Sequence, residues 1–497
     1  ARVAMLVRNV SVSYTNKYSM ALPGFLPLAG DIFGQRATDG GYAPGLRFAF
    51  GMVDDSYIDH AVRQGWLLQS DSIITPATSN MGEDLQIRAT LEPFTDVKID
   101  LNASRSTSQN SSTQYMIEGM PRTYSGSFNM TTMSIHTAFE SMGDVDRGYK
   151  SASFDRFLGK LQYFQQKAEA LYRGSTYPHG SALAGQPFDP KHGKVGQYSA
   201  GVMIPAFLDT YTLSGRDGLS LMPALTALLP NWTIKYAGLA KLPRMKKVFK
   251  SFNINHSYKS IYSIGSYNTF TSFQAMNGSH GFITDVTTGL PTPSTMYDMS
   301  TVSLNETFSP FAGIDMTFNN NLTAKVEYRK TRALTLSMTS GQITEARSND
   351  LVVGLGYKIA DLNLFAPRKA VRMKGDKRSK GKSAKGGEDD SKSSSSSSSS
   401  KGRSSSSGGF SQDLNLRFDL TFRNQSGLNR DIMTALTQAT SGNRALQISF
   451  SADYALSKYL TLTAYYDRQF NKPLLTTSSY PITTQDFGVT VKFVLNR

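Results

Sequence analysis

From Leu414 to the C-terminal end the chain alternates apolar and polar residues in four separate runs. Leu414, Leu416, Phe418, Leu420 and Phe422 are interleaved with Asn415, Arg417, Asp419, Thr421 and Arg423. The alternation returns at Leu446, Ile448, Phe450, Ala452 and Tyr454, then at Leu460, Leu462, Ala464 and Tyr466, and last at Phe487, Val489, Val491, Phe493 and Leu495. Successive side chains on a strand point to opposite faces, so this period predicts strands with one apolar and one polar face. Each run is about ten residues, the length a tilted strand needs to cross a bilayer. The fold class expected is all-β, an antiparallel transmembrane β-barrel.

Half-buried strands of a soluble β-sandwich alternate as well, but they average only about five or six residues. The connections are also unequal. Leu456-Ser457-Lys458-Tyr459 reads as a tight turn and Asn424 to Ala445 as a long loop, the asymmetry of short periplasmic turns and long outer loops. The last run carries Asp486, Gly488, Val491 and Phe493 in the order polar, glycine, apolar, aromatic. That order is similar to the C-terminal signal by which bacterial barrels reach the barrel-assembly machinery.

Upstream, Leu6 to Tyr14 and Leu46 to Phe50 alternate, separated by the proline-containing apolar loop Leu22-Pro23-Gly24-Phe25-Leu26-Pro27. Arg63 to Leu68 is too short to classify. Leu85, Ile87, Ala89 and Leu91 lead through a turn at Glu92 to Asp96 into Val97, Ile99 and Leu101, and a further hairpin turns at Met120-Pro121-Arg122. The period then changes. Phe154, Phe157, Leu158, Leu161, Phe164, Ala168 and Leu171 recur at helical spacing, which predicts an amphipathic helix. Ile135 to Met142 is a second short helical candidate. The aromatic face of the long helix is expected to pack against barrel or insertion rather than to dock a partner. Strand patterns resume at Trp232, Ile234 and Tyr236, then at Phe252 to Tyr258, Ile314 to Phe318, Leu322 to Tyr328 and Leu351 to Ile359. The organisation expected is barrel strands and loops over 1–134, a partly helical insertion over 135–230, barrel strands over 231–368, a loop over 369–409 and C-terminal strands over 410–497.

The loop over 369–409 is rich in Lys and Ser and nearly devoid of apolar residues, so its composition predicts disorder. Strand parity sets it on the same side as the turns at Asn319-Asn320-Asn321 and 456–459 and as the C-terminus, expected to be periplasmic. It also explains much of the formal charge of +15. Twelve Lys and Arg stand against four Asp and Glu between Arg368 and Arg403. The remaining charge follows no nucleic-acid-binding motif, and no nucleic-acid partner is expected. No run approaches eighteen consecutive apolar residues, so helical spans are not expected. There is no cysteine, hence no disulfide or thiolate metal site. The chain opens on Ala1-Arg2-Val3, already in strand-like sequence, and is expected to be the C-terminal piece of a longer exported protein.

Nothing in the pattern reads as an active site. His60, His136, His179, His192, His256 and His280 lack metal-ligand spacing. Gly381 and Gly386-Gly387 lack the Lys-Ser/Thr of a phosphate loop. No catalytic residue, cofactor or metal is expected. A barrel lipase or protease, a TonB-dependent nutrient transporter and a lipopolysaccharide-insertion barrel stand as alternatives at this level.

Several stretches resemble the SprA/Sov family, the outer-membrane translocon of the Bacteroidetes type IX secretion system. They are LPGFLP at 22–27, LRFAFG at 46–51, RATLEPFTDVKIDL at 88–101, MIPAFLDTYT at 203–212, LPNWTIKYAGLAKLP at 229–243, FKSFNINHSYKSIYS at 249–263, LNLRFDLTFRN at 414–424 and ISFSADYALSKYLTLTAYYD at 448–467. In order they cover nearly the whole chain; the Ser-rich tract is a departure. The resemblance implies the C-terminal portion of a very large single-chain barrel in the outer membrane that passes folded cargo proteins. It implies as partners a PorV-like outer-membrane barrel at a lateral opening and a periplasmic plug protein, with a role in gliding motility in some members.

Overall fold

Thirteen segments meet in one antiparallel sheet, eleven of them 12 to 21 residues long. A computed structural model of the chain describes residues 6–28, 30–39, 41–70, 75–116, 120–215, 217–360, 362, 412–457, 459–474 and 480–494. We label the wall strands β1 (Val7–Ala21), β2 (Ala77–Leu91), β3 (Val97–Thr113), β4 (Thr123–Thr131), β5 (Asn231–Tyr236), β6 (Phe249–Thr269), β7 (Thr301–Phe318), β8 (Leu322–Ser337), β9 (Gln342–Ile359), β10 (Leu414–Asp431), β11 (Thr437–Ala455), β12 (Leu460–Pro473) and β13 (Ile482–Phe493). With a two-residue strand, Tyr297–Asp298, against the end of β6, they form a fourteen-stranded sheet. Every neighbour is antiparallel. β1 and β13 are the two edges, and among the described residues they do not pair with each other. The chain is all-β with a partly helical insertion, as the pattern predicts.

One strand position is built from two pieces. β4 pairs with the upper part of β3 and with β6 over Thr131↔Ile261 to Ser125↔Asn268. β5 pairs with the lower part of the same two strands, over Val97↔Tyr236 to Asn102↔Asn231 and Trp232↔Tyr258 to Tyr236↔Ile254. The chain therefore leaves the wall at Thr132 and returns at Pro230, at mid-height. A gap in a ladder would strand backbone groups, which a buried site does not tolerate. Side chains close it. Thr131 Oγ1 accepts from the Ser104 N–H at 3.0 Å, Asn231 Oδ1 accepts from the Ser260 N–H at 2.7 Å, and the Thr132 N–H donates to the Ser260 carbonyl at 3.1 Å.

The excursion carries the expected long helix, α4 (Ala152–Tyr172), capped by the Ser151 hydroxyl, which accepts from the Phe154 N–H. It also carries α3 (Ile135–Ala138) and α5 (Ala200–Tyr211). The stretch from Ala200 has no clear period because nearly all of α5 is buried. Phe154, Phe157, Leu161 and Phe164 of α4 pack with α5 onto Phe128, Tyr262, Leu304, Leu334 and Ile343 of the wall. The α4 aromatic face is a packing face. A small sheet of Gln274–Asn277, His280–Thr284 and Pro291–Thr295 joins this core; Tyr172 Oη donates to the carbonyls of Gly281 and Ser294.

Two expectations are corrected. Leu46 to Phe50 is not a strand: Leu46–Ala49 is a helical turn, α1, which with α2 (Ser56–Arg63) forms a module built on Ala43, Tyr57, Ala61, Trp66 and Leu67. Its alternation is accidental to a turn framed by Gly45 and Gly51. Nor is Asn424 to Ala445 a long loop. β10 and β11 run on to Asp431 and from Thr437, joined by a tight turn in which Asp431 Oδ1 accepts from the N–H groups of Met433 and Thr434. The apolar alternation fades there because these strand ends meet the insertion. The 369–409 tract lies outside the described residues. Its flanks, where the Leu362 N–H donates to the Gln412 carbonyl, lie at the same end of the sheet as the 319–321 and 456–459 turns, as parity requires.

Replacing Asn231 by Ala leaves the buried Ser260 N–H without its acceptor and should cost about 1–3 kcal/mol. Asn231→Asp keeps an acceptor and should recover most of it. Urea titration of the folded protein in detergent, read by electrophoretic mobility without heating, measures the difference.

Candidate functional surfaces

Cross-strand partners share a face, so the register sorts every side chain onto one of two surfaces. On one face the rows change character up the wall. Phe252, Met316, Ala324, Leu355, Phe418, Phe450, Tyr466 and Phe487 form one continuous row across eight adjacent strands, β6 to β13. Val326, Val353, Leu420 and Ile448 lie above it. Tyr357, Leu416, Ala452, Ala464 and Val489 lie below. Tyr328, Leu351 and Phe422 close the top of the band, still exposed at 37%, 42% and 44%. From Leu351 to Ile359 the band measures about 27 Å along a strand. At a tilt of about 40° that is about 21 Å of height, close to the apolar band of an outer-membrane barrel.

Above the band, the same face turns polar and then apolar again. Lys330, Asn349, Asn424, Arg444 and Lys472 make the next row. Glu306, Arg332 and Arg347 make the one after. Leu304 with Leu334, then Val302 with Leu336 and Ile343, follow and are buried by α4 and α5. The insertion thus sits on the apolar face of the wall, above the exposed band.

It is mounted there by buried charge. Arg332 Nη2 lies 2.9 Å from Glu306 Oε2, and both side chains are within 2% of full burial. Glu306 Oε1 accepts from Ser134 Oγ at 2.7 Å and from Tyr258 Oη at 2.9 Å. Arg332 donates to the Thr137 carbonyl at 2.7 Å. Arg347 bonds Glu345 and the Glu140 carbonyl; Arg430 lies 3.1 Å from Glu345 and donates to the Tyr149 carbonyl at 2.8 Å. The segment from Ser134 to Tyr149 is thereby tied across β6 to β10. None of these five charges was singled out from sequence. The available signal was that they fall on the apolar parity of their strands, where a charge interrupts the alternation.

The opposite face is polar along its length, with paired charges. Lys325 and Arg329 flank Glu327, Arg417 meets Asp419 at 2.7 Å, Arg423 meets Asp350 at 3.1 Å and Lys358 meets Asp413 at 2.7 Å. A hollow of about 520 Å³ opens on this face, lined by Asp315, Lys325, Lys358, Arg417 and Asp453. Among the described residues no group of three His, Asp or Glu side chains is placed to hold a metal ion.

The four residues of the C-terminal signal lie on β13 and divide between the faces. Asp486 pairs with Asp467 and Gly488 with Tyr465 on the polar face; Val491 and Phe493 are on the apolar face, exposed. Gly488 has a local reason. A Cβ there would lie 2.6 Å from Tyr465 Oη, so the glycine lets the tyrosine lie flat over the strand.

Long antiparallel strands joined in chain order, one face banded with lipid-sized apolar height and the other polar, are the wall architecture of transmembrane β-barrels. No family model and no curated protein matches this chain. Among solved structures it is similar to in-vitro folded OmpT, an outer membrane protein of Vibrio cholerae, in the trimer form (8% identity, 86% of this chain and 94% of the other, TM-score 0.20). It is also similar to an anion-selective porin from Comamonas acidovorans (10% identity, 80% and 82%, TM-score 0.11).

Arg332→Met should cost about 3–5 kcal/mol, because it leaves Glu306 charged and unpaired in the interior. Glu306→Gln combined with Arg332→Met should recover much of that loss in the same urea titration. A second prediction concerns pH. Burial alone would raise the Glu140 pKa, but the bonds it accepts from the Ser153 hydroxyl and N–H and the Ser151 hydroxyl outweigh it, and the pKa falls below the ordinary 4.5. A depressed carboxyl stabilises fully above 4.5 and loses that contribution as pH falls through its own lower value. Amide protection at the start of α4, corrected for intrinsic exchange, should therefore drop as pH falls below about 4.5. Glu140→Gln should leave it lower and flat across that range.

Proposed function

We propose that this chain forms a sector of an outer-membrane barrel wall and serves a protein-conducting channel, the type IX translocon. One observation carries the membrane reading: the exposed apolar band is unbroken over the strands from β6 to β11, while the reverse face of the same strands is polar and ion-paired. Exposed apolar rows of that area mark a membrane or protein interaction surface. A polar reverse face is what a water-filled interior requires.

Width bears on what passes. Twelve strand positions about 4.8 Å apart at a tilt of about 40° supply a perimeter of about 75 Å, hence a backbone diameter of about 24 Å. A folded domain of about 100 residues is about 34 Å across. Passing it, with side chains lining the wall, takes roughly twenty-two strands. The translocon reading therefore requires about ten strands beyond these twelve positions, joined at the β1 and β13 edges. The ordered resemblance to SprA/Sov sequences supports the word protein, and with it folded cargo, a PorV-like barrel and a periplasmic plug as partners; in this reading the C-terminus is on the periplasmic side, with the 319–321 and 456–459 turns. No chemistry is required of the wall.

Val491→Arg places a charge on the lipid face and should cost about 2–4 kcal/mol if it lies near the bilayer midplane. Thr490→Arg, on the polar face, should cost far less; equal losses of heat resistance in the folded barrel would contradict the facing. Clean deletion of the gene should trap folded type IX cargo in the periplasm and spare nutrient uptake. Normal surface delivery with a specific nutrient defect would instead assign the chain to a transporter.

A further inference from the structure

Charges on the two faces of the wall are treated differently. On the polar face the cations of β8 to β10 have carboxylates beside them, as at Arg417 with Asp419 and Arg423 with Asp350. Higher on the apolar face Arg332, Arg347 and Arg430 are also paired. Two places on the apolar face of β8 to β12 differ: Arg468, in the row of Ile448, and the row between the exposed band and that buried layer, where the unpaired cations gather. Lys330, Arg444 and Lys472 lie in it, on β8, β11 and β12, with Asn349 and Asn424 on the two strands between. Among the described residues, none of the three cations has a carboxylate within 4 Å, and no acidic residue shares the row.

The position of the row is as specific as its charge. It lies two residues above Tyr328, Leu351, Phe422, Leu446 and Phe470, a step of about 7 Å along a strand and about 5 Å in height at a tilt of about 40°. Phe139, half exposed, packs at an angle against Phe308 and Phe311, with ring centroids 5.3 Å apart in each pair, and Lys330 Nζ sits 4.5 Å from its ring centroid. The Ser134–Tyr149 segment reaches this row at Lys330 through Phe139; its contacts with Arg332, Arg347 and Ser426 lie one row higher, and Asn349 and Asn424 stay half-buried. Arg444 and Lys472 are open to solvent.

We infer that this row is a docking line for the phosphates of anionic lipid headgroups, held against the wall just beyond the hydrocarbon. The inference rests on the reading of the band as lipid-facing. Unpaired cations at the border of a hydrocarbon surface meet the one class of anion that is concentrated there, and the band beneath supplies the acyl-chain contact. Asn349 and Asn424 add uncharged donors in the same row without repelling phosphate. Lys330, pinned by the Phe139 ring, is held at the border rather than swinging into water. A juxtamembrane cation contributes about fivefold in affinity for an anionic surface, so removing three should cost about a hundredfold.

The test uses the full chain reconstituted into phosphatidylcholine bilayers doped with phosphatidylglycerol, with retained lipid counted after extraction from washed nanodiscs. Lys330→Gln/Arg444→Gln/Lys472→Gln is compared with the wild-type chain and with a polar-face control, Arg417→Gln/Asp419→Asn. The expected result is selective retention of phosphatidylglycerol by wild type and control, lost in the triple variant, and insensitive to millimolar inorganic phosphate. Equal retention by the triple variant, or full displacement by inorganic phosphate, would overturn the docking line while leaving the membrane reading intact. Failure of the wild-type chain to enter pure phosphatidylcholine bilayers would overturn both.

Discussion

A strand has two faces, and in this wall one of them must serve two different surroundings along its length. The wall strands from β6 to β11 run 16 to 21 residues, but a bilayer needs only about ten. The lower part of the apolar face is bare and the upper part is covered by α4, α5 and their neighbours. The alternation is the same in both halves; the partner is not. Lipid takes apolar side chains without regard to shape, whereas the packed core under the insertion selects Phe128, Tyr262, Leu304 and Leu334 to fit particular side chains of α4 and α5.

That change of partner is marked by charge. Hydrocarbon excludes the pairs Arg332–Glu306 and Arg347–Glu345, and a water-facing site would weaken them. They are found between the two, desolvated by the Ser134–Tyr149 segment and saturated by its carbonyls and hydroxyls. A buried pair of this kind adds little net stability, but breaking it is costly. Its consequence is registration: the insertion can sit at one height only. The split between β4 and β5 follows from the same constraint, because an insertion mounted at mid-wall must leave and rejoin the sheet at mid-wall. Thr131 and Asn231 replace the missing ladder bonds so that the wall is not breached in hydrogen bonding.

The two faces also divide the electrostatic work. The cations of β8 to β10 paired within the polar face present little net field on that side. The row of Lys330, Arg444 and Lys472 is left uncompensated by protein, at the level where a membrane supplies the counter-charge. Charge balance of the folded chain is in this sense completed by its surroundings.

Alternation of period two was sufficient to read the strands around Leu414 to Phe422, Leu446 to Tyr454 and Phe487 to Phe493, because parity is a local property that each strand carries alone. The helical period of Phe154 to Leu171 was legible for the same reason. The upper ends of β10 and β11 were not. Their side chains alternate between a polar face and a protein interface that includes Ser426 and Arg430, and such an interface has no single polarity. Leu46 to Phe50 failed in the opposite way, since a few alternating residues fit a helical turn as well as a strand. The mounting charges, the split strand and the basic row belong to no single segment. Each exists only where residues far apart in the chain share a row, and rows are set by register, which only the assembled sheet decides.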